Sequence, residues 1–200
     1  IPSGLEFMER DAIYWATKDL EKINIPTNKE IKAHLLIEVD GYDDDAVLKE
    51  AEKVGSVLDE NRAFNVLFAQ TSKERDALWK LRRRVGEAVK SQSIYKEEDT
   101  VVPRSKLPEL LRVVKSVGKE FKFKTVCYGH AGDGNLHVNI LKGDMSDEKW
   151  NGEHLKTGIR KIFEAVKSMG GTISGEHGIG LVQKIYLDVV FNQIEIQVQK

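Results

Sequence analysis

The sequence predicts an α+β fold, one antiparallel sheet with helices on one face, arranged as ferredoxin-like halves. Three observations lead there. Extended apolar segments alternate with amphipathic helical ones along most of the 200 residues. One pair of extended segments within 120–141 is joined by a short Asp-Gly turn, which makes that pair antiparallel. At 40% hydrophobic and 32% charged, the chain has the length and apolar content for one sizeable core.

The elements follow in order. In LEFMERDAIYWATKDL, Phe7, Ile13, Ala16 and Leu20 recur at roughly helical intervals, which predicts a helix over 5–21. IKAHLLIEVDG, 31–41, is β-rich and ends in Asp-Gly, a strand and a turn. Asp43, Asp44 and Asp45 then open a helix, where acids complement the N-terminal dipole. A calcium loop would need further oxygen ligands at alternating positions, and they are missing. AFNVLFAQ, 63–70, reads as a second strand. TSKERDALWKLRRRVGEAVKSQ reads as a long helix capped by Thr71 or Ser72, with Ala77, Leu78, Leu81, Val85 and Val89 as its apolar stripe. SIYKEEDTVVP is extended as far as Pro103, and SKLPELLRVVKSVGKEF is helical after Ser105. After the hairpin, a helix is capped by Ser146 and stopped by Gly170-Gly171. TISGEHGIG is short and glycine-rich, and LVQKIYLDVVFNQIEIQVQK reads as helix.

Composition narrows the function classes. Basic and acidic residues number 31 and 32, a formal charge of -1, so no global footprint for nucleic acid exists. The run Arg82-Arg83-Arg84 reads as a solvated basic helix face, with DNA contact a distant alternative. A single cysteine, Cys127, allows no internal disulfide and fits a reducing, cytoplasmic compartment. No apolar run approaches the ~18–20 residues that span a bilayer, which leaves at most a peripheral membrane association. The chain has no initiator Met and turns acidic at once, so it is expected to be the middle of a longer polypeptide.

The chemistry concentrates in YGHAGDGNLHVNI, 128–140. With Asp133-Gly134 as the central residues of a type I′ turn, His130 faces His137 and Ala131 faces Leu136. Opposed residues share a face, so the two imidazoles project side by side, and Asn139 joins them two residues on. Leu136, Val138 and Ile140 point to the other face. The stretch lacks the Lys-Ser/Thr ending of a P-loop, and no strand–GxGxxG–helix unit supports a dinucleotide fold. Glu176 in GGTISGEHGIG offers a third ligand, and two His with one carboxylate leave coordination positions open for water or substrate. His177 beside it is a candidate base, and Gly175, Gly178 and Gly180 permit close backbone approach. No HExxH pattern is present, which argues against metalloprotease chemistry. On local pattern alone, a hairpin carrying two solvated histidines remains an open alternative.

The two motifs together, YGHAGDGNLHVNI and GGTISGEHGIGLVQK, resemble the C-terminal domain of FAD-linked oxidases, the family of D-lactate dehydrogenases, glycolate oxidases and D-2-hydroxyglutarate dehydrogenases. The resemblance extends to LEFMERDAI, LWKLRRRVGEAV and YKEEDTVVP, so it covers nearly the whole chain. It implies that residues 1–200 are a cap domain whose FAD sits mainly in an N-terminal domain outside this sequence. It implies a divalent metal, zinc or manganese, on His130, His137 and Glu176, with His177 catalytic and Asn139 facing substrate. By similarity, Arg82 and Lys96 hold the substrate carboxylate; an Arg fork suits that anion bidentately.

Gly86 stands where some relatives carry a hydroxyl residue, Ile185 stands where proline is frequent, and an NPGK-like end is absent. The expected function is oxidation of a small D-2-hydroxy acid to the 2-oxo acid, with hydride passing to FAD. The alternative is a metal-dependent organic-acid-binding or assembly module without chemistry of its own. A homo-oligomer or a set of oxidase subunits is the expected partner class, the electron acceptor being left open. The isolated domain is expected to be inactive.

Overall fold

The computed structural model describes residues 2–18 and 25–198. In chain order its elements are β1 (Gly4–Glu9), α1 (Arg10–Thr17), β2 (Ala33–Glu38), α2 (Asp44–Glu60), α3 (Ser72–Lys90), β3 (Tyr95–Val101), α4 (Leu107–Glu120), β4 (Lys124–His130) and β5 (Asn135–Leu141), followed by α5 (Asp147–Asn151), α6 (Glu153–Ser168), α7 (Leu187–Val190) and α8 (Gln193–Val198). The strands form one open sheet in the order β2-β1-β4-β5-β3, antiparallel throughout.

The second half carries the ferredoxin-like topology. β3 and β4 run parallel with β5 between them, and α6 returns the chain to an antiparallel bridge between Thr172 and Val101 on the outer side of β3. The first half adds only β1 and β2, paired directly with each other. The helices are also divided differently from the expectation of one covered face. Cys127, Leu136, Val138 and Ile140 pack with Leu110, Val114, Ile159, Ile162 and Phe163 of α4 and α6. Val126, Tyr128 and Leu141, which alternate with those strand residues, pack with α1 and with Leu81, Val85 and Val89 of α3. The sheet is thus covered by α4 and α6 on one side and in part by α1 and α3 on the other.

Several local expectations need correction. The helix expected over 5–21 is a strand, β1, followed by α1 from Arg10; positions 19–21 lie outside the described residues. The period-2 alternation of Leu5, Glu6, Phe7 and Met8 prevails at its start because β1 finds partners on both sides, β2 and β4. Segment 63–70 is not a strand. Phe64, Val66, Leu67 and Phe68 are each more than half exposed, so neither face of the segment is buried and nothing rewards pairing. The hairpin register is Tyr128 opposite His137, and residues 131–134 form a four-residue turn. Gly134 occupies φ +78, and a Cβ there would lie 2.0 Å from the Val102 carbonyl oxygen, so only glycine fits. The expected helix after Ser146 breaks at Gly152 into α5 and α6, and the last segment, described as far as residue 198, is a 3-10 turn (Lys184–Tyr186) leading into two short α-helices rather than one helix.

Other expectations match. Asp43 caps α2 by accepting from the Ala46 N–H at 2.8 Å. Thr71 and Glu74 form a reciprocal capping box on α3. Ser146 caps α5. Among the described residues no helix is long and apolar enough to cross a membrane.

Candidate metal site

The sheet face shared with α3 carries the site. The shift of register by two residues preserves alternation, so His130 and His137 stay on one face as diagonal rather than direct neighbours, their ring centroids 5.7 Å apart. The loop after the Thr172 bridge brings Glu176 to them. One ligand atom each from His130, His137 and Glu176 lies within 4.8 Å of the others. Glu176 Oε1 is 3.3 Å from His137 Nε2 and 3.8 Å from His130 Nε2.

One of the histidines is oriented from behind. His130 Nδ1 lies 2.9 Å from Glu6 Oε1 on β1, so Nδ1 donates to that carboxylate and Nε2 is turned to the cluster. Glu6 is buried, and its other oxygen accepts from Arg82 Nε at 2.8 Å. Burial pushes the His137 pKa down, against the opposing pull of Glu97, Asp99 and Glu176, so the ring is neutral and ligand-ready at pH 7. Its Nδ1 is buried without a hydrogen-bond partner. The 174–177 loop is held by Asp99, whose Oδ2 accepts from the backbone N–H groups of Gly175, Glu176 and His177 at 2.8, 2.7 and 2.9 Å. Burial raises the Asp99 pKa, but these bonds and one from Asn135 outweigh it and hold the carboxyl below its ordinary value. The absent Cβ of Gly175 makes this possible, since one would sit 2.5 Å from Asn135 Nδ2.

His177 stacks on His137 at 5.1 Å between centroids and is about half exposed. Asn139 is fully buried on the same face, and neither end of its amide has a hydrogen-bond partner. Arg82 comes to this face across the Tyr128 ring, 5.4 Å from its centroid, tied to Glu6. The space that a side chain at Gly86 would enter is filled by the Tyr128 hydroxyl, 3.2 Å from the Cβ position. Lys96 is not brought to the site. It stands opposite Ile140 in the ladder, which turns it to the other face, where its Nζ lies 6.0 Å from the Trp150 ring. Its neighbour Glu97, opposite Asn139, faces the cluster instead.

Sequence reading misses Glu6, Asp99, Glu97 and Tyr128. A signal exists for the acids of β3. Three consecutive carboxylates inside a strand are rare unless each has partners, and EED 97–99 is such a run.

The site tests well against a divalent ion. Two imidazole nitrogens and one carboxylate oxygen converge, one histidine is fixed by a carboxylate behind it, and the other is kept neutral by burial. This class of site, two histidines and a carboxylate on an antiparallel sheet with a third histidine beside them, would leave coordination positions of a bound ion open. Comparison with known proteins narrows it. A family described as FAD linked oxidases, C-terminal domain, matches residues 1–200, and the chain belongs to that family. It is 32% identical over 203 residues to a D-lactate dehydrogenase of Anaerostipes hadrus, covering 100% of this chain and 42% of that protein. The glycolate oxidase protein GlcD of Bacillus subtilis (strain 168) is also 32% identical, with the same coverage of 100% and 42%. A D-2-hydroxyglutarate dehydrogenase of Stutzerimonas stutzeri (strain A1501) is 35% identical over 136 residues, 67% of this chain and 29% of that protein. The chain therefore spans less than half the length of these curated relatives.

Proposed function

We propose that this chain is the substrate-binding cap of a flavin-dependent D-2-hydroxy acid dehydrogenase of the lactate or glycolate type, acting over a flavin domain supplied elsewhere in the full protein. The observation that carries the reading is the convergence of His130, His137 and Glu176, with His177 stacked against the pair. The names of the relatives support the reaction class. His130, His137 and Glu176 would hold zinc or manganese, and a bound divalent ion lowers the pKa of a 2-hydroxyl, while FAD accepts the hydride from C2. His177, exposed enough to meet substrate, takes the hydroxyl proton. Asn139, fully buried beside Tyr128 on the same face, would reach the hydroxy-carboxylate end only where the site face opens to admit substrate. Arg82 adds positive charge on that face while Glu6 holds its orientation.

The test uses the full-length protein with D- and L-2-hydroxy acids and an artificial electron acceptor. D-lactate or glycolate is expected to support turnover, and His177→Ala is expected to lower kcat by about 10²-fold or more. An unaffected His177→Ala removes that residue from the mechanism. Metal-dependent binding of organic acids with no flavin reduction would favour a binding or assembly module instead.

A further inference from the structure

We infer that Glu97, clamped between Lys90 and Tyr128 behind the histidine pair, makes this a site for 2-hydroxy acids that carry no second carboxylate. The inference rests on the hydroxy-acid reading of the site and names its substrate class. Glu97 stands opposite Asn139 in the β3–β5 ladder, on the face that bears His137. Its Oε1 accepts from the Tyr128 hydroxyl at 2.9 Å, and the Tyr128 ring lies 5.3 Å from that of His137. Its Oε2 lies 2.7 Å from Lys90 Nζ at the end of α3. Both carboxylate oxygens are therefore occupied, and the side chain is only 13% exposed. Glu97 is a fixed negative charge, and the lysine nearest to it is already spent.

The consequence follows from charge counting. A monocarboxylic 2-hydroxy acid brings one negative charge, which an ion held by His130, His137 and Glu176 would receive, helped by the Arg82 N–H groups that Glu6 leaves unused. A diacid brings a second on the same short carbon skeleton. To pair it, Lys90 would have to leave Glu97, stranding a nearly buried carboxylate. Without that exchange the second carboxylate stays unpaired against the Lys90–Glu97 pair, a desolvation cost worth roughly 10- to 100-fold in affinity. Lys96, which the resemblance gives to the substrate carboxylate, is on the far side of the sheet.

The experiment measures kcat/KM of the full-length holoenzyme for D-lactate and D-2-hydroxybutyrate against D-malate and D-2-hydroxyglutarate, together with equilibrium binding of the same acids. The wild type is expected to favour the monoacids at least tenfold in both readouts. Glu97→Gln frees Lys90 and is expected to raise the diacid-to-monoacid ratio at least tenfold. Lys90→Met leaves Glu97 uncompensated and is expected to move the ratio the other way, a sign change that mere loss of packing would not give. Equal or better use of diacids by the wild type overturns the inference, and so does a ratio that neither variant moves. Turnover failing with every acid while binding still discriminates sinks the oxidation reading and leaves this selectivity standing; binding without discrimination overturns the selectivity alone.

Discussion

The two faces of β3 treat neighbouring acids in opposite ways. Glu97 and Asp99 turn to the site, and Glu98, between them, turns to the core side opposite Val138. Asp99 and Glu98 are each only 1% exposed, but Glu98 lies deeper among protein atoms than Asp99. Asp99, bonded by three backbone N–H groups and by Asn135, is held below its ordinary pKa. Burial pushes Glu98 up to about 7, with one hydrogen bond from Gln183 Nε2 at 3.0 Å opposing it. Depth of burial and the number of donors aimed at a carboxylate together decide whether it stays charged, and on β3 both work in the same sense.

The largest expected effect breaks the site face. Asp99→Ala leaves the N–H groups of Gly175, Glu176 and His177 without their acceptor. Loss of charge-assisted bonds to a buried acceptor is expected to cost about 3 kcal/mol or more of stability, and release of the loop is expected to weaken metal binding about 10- to 100-fold. Chemical denaturation and chelator competition on the full-length protein check both. Asp99→Asn keeps a carbonyl oxygen and is expected to cost less, so equal losses in the two variants would contradict the role given to the charge.

The next effect sharpens the core face. The Glu98 pKa is raised on folding, so its contribution to stability is greatest below about pH 4.5 and is lost as pH rises through about 7. Glu98→Gln removes this dependence. Relative to the variant, the wild type is expected to lose up to about 3 kcal/mol between pH 4.5 and pH 8. Denaturation midpoints at pH 5 and pH 8 decide it, and a difference between wild type and variant that does not change with pH would refute the assignment. Gln183 follows the loop that bears Glu176 and His177, so β3 grips that loop from both faces, with Asp99 before it and Glu98 after it.

What is legible in the sequence follows from the same alternation. The hairpin register read from the Asp-Gly turn differs by two residues from the observed one, yet every side chain falls on the right face, because a two-residue shift preserves parity. Pattern alone therefore puts His130, His137 and Asn139 together. Glu176 requires a contact between distant segments, which only the pairing of motifs suggests. Glu6 stays hidden because the start of the chain reads as a helix, and a helical period cannot show that Glu6 and Met8 share a face with His130. Segment 63–70 has strand-like residues but buries neither side, a tertiary fact that propensity does not contain. α2 has a sound cap and yet no buried residue, for the same reason.

The smallest expected effect concerns Lys96, where one position of parity separates the two readings. As a holder of substrate carboxylate, its loss would raise KM by an order of magnitude or more. On the observed face it touches substrate nowhere: its partner in the ladder is Ile140, its charge lies toward the Trp150 ring, and its field acts on Glu98. Lys96→Ala is then expected to cost about 0.5–1 kcal/mol of stability from the lost cation–π contact. It is also expected to push the Glu98 pKa higher, since a cation that favours its charged form is gone. kcat/KM for D-lactate in the full-length protein should stay within about threefold of wild type, less than the roughly tenfold that 1.4 kcal/mol would give. A tenfold rise in KM with stability unchanged would mean that β3 turns over when substrate binds, and the contrast between its two faces would then belong to the unliganded state alone.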